Sequence, residues 1–211
     1  MDFITTLEII PAAILGLSIH ESAHAYTSYR LGDSTAKDLG RVSLNPLQHI
    51  DWLGFLFIVL VGFGWAKPVT FNPDNLRNKH RDEILISLAG PVSNLLLAIT
   101  FFLIARSLMW IDFFNVTNAG QWIVHLIVIW GIINVALFIF NLIPLPPLDG
   151  SHVYLTFLSD THPRLMINLY KYGTGVLFLL IVSENWLHVN LLHISYMINA
   201  VTGFFLHLLA F

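Results

Sequence analysis

Long runs of apolar residues, separated by short polar segments, extend along almost the whole chain. A helix needs about 20 mostly apolar residues to cross a bilayer, and the chain holds several such runs. The candidate spans are Leu7–Tyr29, Ile84–Ser107, Trp122–Ile143, Val189–Phe211 and the shorter Gly173–Ser183. The last can span if neighbouring tyrosines anchor it at the interface and a lysine extends toward water. The pattern predicts an all-α polytopic membrane protein with about five to six transmembrane helices, in which residues 1–211 form a single membrane-embedded domain.

A further apolar run, Trp52–Ala66, is short for a crossing and contains three glycines, which weaken a helix. If this run dips into the membrane and returns, loops 30–50, 67–83 and 144–172 share one side and carry nine of the ten basic residues. Positive charge marks cytoplasmic loops. We therefore expect a re-entrant element, an external N-terminus, a cytoplasmic C-terminus and a location in the cell membrane.

Composition narrows the class of protein further. Hydrophobic residues make up 56% of the chain and charged residues 11%, whereas a soluble domain carries about 25% charged residues. The net charge of −3 gives no basic surface for nucleic acid, and the absence of cysteine excludes thiolate metal sites. The lipid bilayer is therefore the expected surrounding of most of the chain.

Two histidines and a glutamate interrupt the first apolar run, in the stretch His20-Glu21-Ser22-Ala23-His24. Residues four apart lie on the same face of a helix, so both imidazoles can point at one ion, with Glu21 beside it. This H-E-x-x-H arrangement supplies two zinc ligands and a carboxylate general base, and zinc lowers the pKa of its bound water to about 7. The alternative is a set of polar residues that pack between helices. An ionised residue near the centre of a spanning helix costs roughly 2.5–3.5 kcal/mol, which favours a compensating cation.

A catalytic zinc usually takes a third protein ligand. Most acids lie in or beside the expected cytoplasmic loops, whereas Asp149 closes the stretch "NLIPLPPLDG" at 141–150. Its three prolines must break the preceding helix, and broken backbone at membrane depth is tolerated where it is buried or faces a water-filled cavity. Taken alone, Asp149 is equally well explained as a helix N-cap. Together with the histidine pair, the ligand interpretation leads.

The chain resembles the site-2 proteases, a family of zinc intramembrane metalloproteases. The resemblance is carried by "HESAH", by "GPVSN" at 90–94 and by "NLIPLPPLDG", in the family's order, with "GRVSLNP" at 40–46 and "GWAKPV" at 64–69 also familiar. It covers residues 18–150 and leaves the last 60 without a recognised motif. Because the chain has no room for the PDZ or nucleotide-sensing domain common in the family, it resembles the compact members.

The resemblance implies roles for individual residues. His20, His24 and Asp149 match the zinc ligands, one zinc per chain, and Glu21 matches the catalytic glutamate. Asn94 matches an asparagine thought to contact substrate or the oxyanion, although an interhelical hydrogen bond explains it equally well. Asn141 matches another family asparagine and could equally satisfy backbone groups freed by Pro144.

Two segments beside the re-entrant element, "RVSL" (41–44) and "KPVTF" (67–71), are rich in β-branched residues and could form short membrane-associated strands. An extended substrate could add to such an edge, with Val69 among the binding residues. Of the other histidines, His152 is the best placed to support a ligand rather than to bind metal. For all seven the sequence favours packing or interface roles over catalysis.

The sequence thus favours an intramembrane zinc endopeptidase that cleaves transmembrane segments of other membrane proteins. A non-hydrolytic metal or haem protein, such as a transporter or electron carrier, is the alternative, as is an inactive relative that binds helices without cutting them. A carrier needs no general base at position 21, so Glu21→Gln separates the first two classes. A homo-oligomer is compatible with the sequence.

Overall fold

The structure is a computed structural model that describes the backbone of residues 3–61, 64–186 and 193–209. Helices dominate this part of the chain, and three short 3₁₀ turns connect some of them. The helices are α1 (Phe3–Leu31), α2 (Thr35–Asp38), α3 (Trp52–Val61), α4 (Lys79–Leu108), α5 (Asp112–Val116), α6 (Asn118–Asn141), α7 (His152–Thr161), α8 (Pro163–Trp186) and α9 (Ile194–Leu208). The predicted all-α polytopic class is confirmed.

Three helices are long and apolar enough to cross a membrane within the described residues: α4, α6 and residues 163–183 of α8. The 29 residues of α1 give a length of about 43 Å, which also suffices for a crossing. Its apolar run, however, is interrupted by the polar turn that holds His20, Glu21 and His24. The predicted span Val189–Phe211 lies partly outside the described residues, and its described part is the 15-residue α9.

Side chains at the helix starts explain where α4 and α6 begin. Asn78 accepts a hydrogen bond from the backbone N–H of Arg81 at the start of α4, and Thr117 accepts one from Gly120 at the start of α6. Such caps satisfy amides that have no partner within the helix. α8 begins ten residues earlier than the predicted run Gly173–Ser183. Its first turns contain polar residues and therefore do not belong to an apolar run.

The re-entrant element has the expected geometry within the described residues. Ile50, just before α3, pairs with Ala66 in a single antiparallel backbone bridge, and Lys67 N–H donates to the carbonyl of His49 at 2.8 Å. A Cβ on Gly54 would lie 2.1 Å from the carbonyl oxygen of Trp65, so only glycine permits this close return. The backbone at residues 66–67 therefore lies beside the backbone at residues 49–50.

The predicted short strands do not form, which corrects that part of the fold prediction. Residues 42 and 43 form a bend, and residues 67–71 have no regular secondary structure. The β-branched residues set a local preference only, and a strand requires a paired neighbour. Here the available hydrogen-bonding groups are taken by Arg41 and Glu21 instead of by a strand partner.

The helices α1, α4 and α6 pack against one another and form the centre of the molecule. Ala98 and Phe102 of α4 and Val135 and Ile139 of α6 make a buried cluster, against which side chains of α9 pack. The proline-rich linker after α6 then folds back toward α1 and α4 and leads into α7. This return brings Asp149 to the polar turn of α1.

Asp33, just after α1, ties the end of that helix to the loop before α4. Its buried carboxylate accepts hydrogen bonds from Ser28, Thr35, Asn75 and the backbone of Asn72. Burial alone raises the pKa of Asp33, but the hydrogen bonds from Thr35, Asn75 and Asn72 outweigh it and lower the pKa to about 2. The ionised carboxylate is therefore a structural part of the fold.

Candidate metal centre

One turn of α1 presents two imidazoles to the same point. His20 and His24 are buried, at 4% and 8% exposure, and their Nε2 atoms lie 3.0 Å apart. The i, i+4 spacing on a helix produces this arrangement, as the sequence predicts. Two ring nitrogens this close form a pair that suits a shared cation.

Asp149 completes the cluster from the other side. The prolines end α6, and a short 3₁₀ turn that starts at Asp149 directs its carboxylate toward α1. Its Oδ2 lies 3.0 Å from Nε2 of His20 and 3.4 Å from Nε2 of His24. Zinc bonds of 2.0–2.1 Å in tetrahedral geometry place ligand atoms roughly 3.3 Å apart. The three atoms therefore form one face of a zinc-sized tetrahedron.

Hydrogen bonds at the far side of each ring settle which nitrogen faces the centre. Nδ1 of His24 lies 2.7 Å from the carbonyl oxygen of Ile86, which can only accept, so Nδ1 carries the proton. Nδ1 of His20 lies 2.6 Å from Oδ1 of Asn94 and donates to it in the same way. With Nδ1 as the donor, the neutral form of each ring presents the lone pair of Nε2 to the centre, where it can bind a metal, and ligand histidines are commonly held by such partners.

Asn94 is fully buried and all its described hydrogen bonds are to protein groups. Its Nδ2 donates to the carbonyl of Gly16 and to Oδ1 of Asn134, both at 3.0 Å, while Oδ1 accepts from His20. Asn134 is held in turn by the carbonyl of Trp130. In this arrangement Asn94 orients a ligand and has no free donor for an oxyanion. Its predicted contact with substrate stays a prediction.

Two further observations show that the residues fit a metal ion. Among the described residues, the buried Oδ2 of Asp149 has no hydrogen-bond partner, although it is a strong acceptor. A Cβ on Gly90 of α4 would lie 2.4 Å from Nε2 of His24 and 2.6 Å from Nε2 of His20. The glycine therefore keeps open the space that an ion needs. His20, His24 and Asp149 are the described residues that form such a donor set.

Glu21 lies beside this cluster and is held from outside α1. The backbone N–H of Val69 donates to Oε2 of Glu21 at 2.8 Å, which leaves Oε1 without a described hydrogen bond. Both residues line the cavity described next, and Glu21 is 9% exposed. A carboxylate adjacent to the metal ligands is placed as a general base requires.

A cavity of about 730 Å³ opens onto the cluster. Its wall is apolar over most of its area and comes from α1, the segment 64–71, α6, α8 and α9. Representative lining residues are Ala13, Leu17, Ile133, Leu137, Leu177 and Ile198. The polar groups gather at one place, around His20, Glu21, His24 and Asp149. A volume of this size admits several side chains of an extended peptide.

The structure brings some of the other predicted residues to this cavity. Asn141 lines it, and its Nδ2 donates to the carbonyl of Leu137. His152 lines it next to Asp149, with Nε2 3.4 Å from the hydroxyl of Tyr170. Burial lowers the pKa of His152, although nearby carboxylates oppose this. Its position agrees with a supporting role.

Several residues of the site were not identified from the sequence. Gly90 and Asn94 stand four apart in "GPVSN", so the i, i+4 rule could have placed the glycine on the face that meets the histidines. Arg41, His49 and Asn134 carry no comparable signal. Their contacts arise only from the way distant segments dock.

The fold and the site together define a helical membrane protein in which an H-E-x-x-H turn and an aspartate could hold a metal ion. The family model described as peptidase family M50 matches residues 110–182, which include Asp149 and its linker. The chain belongs to peptidase family M50, the site-2 proteases.

Similar proteins carry consistent names. The Bacillus subtilis protein named "Putative zinc metalloprotease YwhC" is 39% identical over 175 residues, which is 81% of this chain and 78% of that protein. The "Putative zinc metalloprotease Rip2" of Mycolicibacterium smegmatis is 27% identical over 83% of this chain and 66% of its own length. The Mycobacterium tuberculosis protein of the same name is 29% identical over 67% of this chain and 54% of its own length. The chain thus spans about half to three quarters of these relatives. No solved structure matches the chain.

Proposed function

We propose that this protein is an intramembrane zinc endopeptidase that cleaves peptide bonds in or near the transmembrane segments of other membrane proteins. The observation that carries the proposal is the convergence of His20, His24 and Asp149 on one point, with Glu21 alongside. Membership of family M50 and the names of the relatives support a zinc metalloprotease. One zinc per chain is expected, because the described residues form one such donor set.

The residues of the site would divide the work as follows. His20, His24 and Asp149 hold the metal, which when bound supplies Lewis acidity and makes water acidic enough to react near neutral pH. Glu21 accepts the proton of the attacking water at a carboxylate oxygen and delivers it to the nitrogen of the departing amine. The Val69 N–H holds the other carboxylate oxygen, so Glu21 keeps one orientation during this transfer. No redox partner is required, because hydrolysis consumes only water.

The cavity favours an apolar, extended substrate. Its walls offer mainly aliphatic side chains, and polar groups are concentrated at the cluster. A helical segment hides its amides in internal hydrogen bonds, so it must unwind locally before its carbonyl can approach the cluster. Asn141 Oδ1 is available to accept an N–H from such an unwound segment. This contact gives Asn141 a role in substrate binding.

We infer that the chemistry takes place below the membrane surface. Arg30 lies in the last turn of α1, and His20, the first residue of the cluster, precedes it by ten residues. Ten residues correspond to about 15 Å of helix. With loops rich in Lys and Arg on the cytoplasmic side, the site lies nearer the cytoplasmic face of the cell membrane and the N-terminus lies outside. Transmembrane segments of substrate proteins reach such a site laterally from the lipid.

The test uses the full chain purified in detergent, with zinc content and cleavage of a model transmembrane substrate as separate measurements. We expect about one zinc per chain in the wild type and in Glu21→Gln, and cleavage only in the wild type. Loss of a general base typically lowers the rate about 10²–10⁴-fold. Asp149→Ala should lose both zinc and cleavage.

Glu8→Gln provides a matched control, because Glu8 is on the same helix and its Oε1 accepts from Trp122, which a glutamine oxygen can also do. It should keep zinc and cleavage. A wild type that binds zinc but never cleaves would contradict the protease proposal, and a function unaffected by Glu21→Gln would indicate a non-hydrolytic metal carrier.

A further inference from the structure

The turn of α1 that carries Glu21 also contacts the segment before the re-entrant element. His49 is almost fully buried, and its Nε2 donates to the carbonyl of Ser43 at 2.7 Å and lies 3.1 Å from Oγ of Ser22. The hydroxyl of Ser22 also contacts the Ser43 carbonyl. Ser22 follows Glu21 directly in the chain. Residues 43–49 are therefore anchored to the same helical turn as the general base.

The segment after the re-entrant element is fastened to the segment before it. Lys67 N–H donates to the carbonyl of His49, and Ile50 pairs with Ala66. These are backbone contacts, so they hold the two segments at one spacing and leave the exact direction of residues 67–69 to side chains. Arg41 is the side chain that reaches them.

Arg41 is 6% exposed, and its guanidinium binds two consecutive carbonyls. Nη2 donates to the carbonyl oxygen of Lys67 and Nη1 donates to that of Pro68, at 3.3 Å for the latter. No carboxylate within the described part of the chain forms an ion pair with it. Burial lowers the pKa of Arg41, whereas the charge of Glu21 raises it, which shows that the two charges are near each other. Because this buried cation binds backbone carbonyls, it fixes the position of that backbone segment.

The next residue closes a ring of contacts. Val69 follows the two clamped carbonyls, and its N–H donates to Glu21. The ring runs from Ser22 through His49 to Lys67, and from there through Val69 back to α1. We propose that Arg41 is a positioning residue for the general base: by clamping the carbonyls of Lys67 and Pro68, it presents the Val69 N–H to the Glu21 carboxylate.

This role rests on the proposed protease function but makes a structural claim of its own. If Arg41 only stabilised the loop, its removal would lower stability and leave the Glu21 contact no weaker than the rest of the fold. If it positions Val69, its removal must loosen that one hydrogen bond and slow the proton transfer that Glu21 performs. A misplacement of about 1 Å can lower a rate about 100-fold.

The experiment compares wild type, Arg41→Met and Arg41→Lys by hydrogen exchange, zinc content and kinetics in detergent. We expect the amide of Val69, followed in a peptide that spans residues 66–72, to exchange at least about tenfold faster in Arg41→Met and in Glu21→Ala than in the wild type. Zinc content should stay near that of the wild type in both. For cleavage by Arg41→Met, kcat should fall about 10- to 100-fold while KM changes by less than about threefold.

Added guanidinium ion should restore part of the activity of Arg41→Ala, because it can reoccupy the space and bind the same carbonyls. Arg41→Lys, with a single donor point, should remain impaired. Arg30→Met is the matched control, since Arg30 lies exposed over the ring of Tyr26, and it should match the wild type in all measurements.

The outcomes separate this inference from the proposed function. Unchanged exchange at Val69 in Arg41→Met overturns the positioning role, whatever the activity. A change in exchange that appears equally throughout the protein also overturns it, because that result describes general destabilisation. If exchange becomes faster selectively at Val69 in Arg41→Met but the wild type does not cleave, the first result supports the ring of contacts. The second result contradicts only the protease proposal.

Discussion

Replacing Asn94 with alanine tests whether this asparagine serves the metal ligand or the substrate. In the structure its Oδ1 accepts the Nδ1 proton of His20 at 2.6 Å, and its Nδ2 is used by Gly16 and Asn134. Asn94→Ala removes the acceptor and leaves a buried Nδ1–H unpaired. Metal ligation makes that N–H a stronger donor, so the lost hydrogen bond matters more with metal bound than without it.

The magnitude follows from known losses of such supporting partners. Their removal typically weakens metal affinity by about 10- to 100-fold, which corresponds to about 1.4–2.8 kcal/mol. The unpaired Nδ1–H adds roughly 1–3 kcal/mol of destabilisation to the protein itself. Asn134→Ala, which keeps the contact with His20 and removes only one acceptor of the Asn94 amide, should weaken zinc binding less.

The assay is a zinc titration in competition with a chelator, run together with cleavage at saturating zinc. Ser93→Ala is the matched control, because Ser93 precedes Asn94 on α4 and its hydroxyl bonds only to the local carbonyl of Gly90. We expect weakened zinc binding in Asn94→Ala and restored cleavage when zinc is raised. Wild-type zinc affinity with a lowered kcat would refute the reasoning and support contact between Asn94 and the oxyanion.

Three further predictions follow from positions around the site. Gly90→Ala should reduce zinc content below about a tenth of that of the wild type, because its Cβ would occupy the metal position, whereas Gly175→Ala, in open space, should bind zinc normally. Asp33→Asn should lower the free energy of unfolding by about 2 kcal/mol at pH 7. Because the pKa of Asp33 is about 2 in the folded protein and the ordinary aspartate pKa is 3.8, this difference should vanish as the pH falls from about 4 to 2. Asp74→Asn, at an exposed position, should show no such difference. Val69→Pro removes the donor to Glu21, so it should slow cleavage of helical and unfolded substrates equally; a selective loss on the helical substrate would instead support strand addition at this segment.

The histidine pair and Glu21 were predictable because they depend only on the geometry of one helix. The i, i+4 spacing holds wherever that helix lies in the fold. Asp149 was harder, since its approach to α1 depends on how the proline-rich linker turns. Two arguments predicted Asp149 as the third ligand: the shortage of other acids at that depth and the resemblance to the family.

The supporting contacts were beyond sequence reasoning. Asn94 reaches His20 only because α1 packs against α4, and Arg41 reaches the 67–68 carbonyls only because the re-entrant element returns beside its own entry. The predicted strands do not form for a related reason. β-branched residues favour an extended backbone, but they do not provide a neighbouring strand to pair with. The pairing of Ile50 with Ala66 agrees with the return that the basic residues on both sides of this run predict, while its orientation in the membrane stays a prediction.

The donor set of the metal centre has a consequence for biosynthesis. Two donors lie in the first helix, and the third follows more than a hundred residues later. A ribosome that has produced only α1 has released a pair of imidazoles without the carboxylate that completes the centre. A protease of the kind proposed above would therefore lack its complete donor set until the linker after α6 has been synthesised.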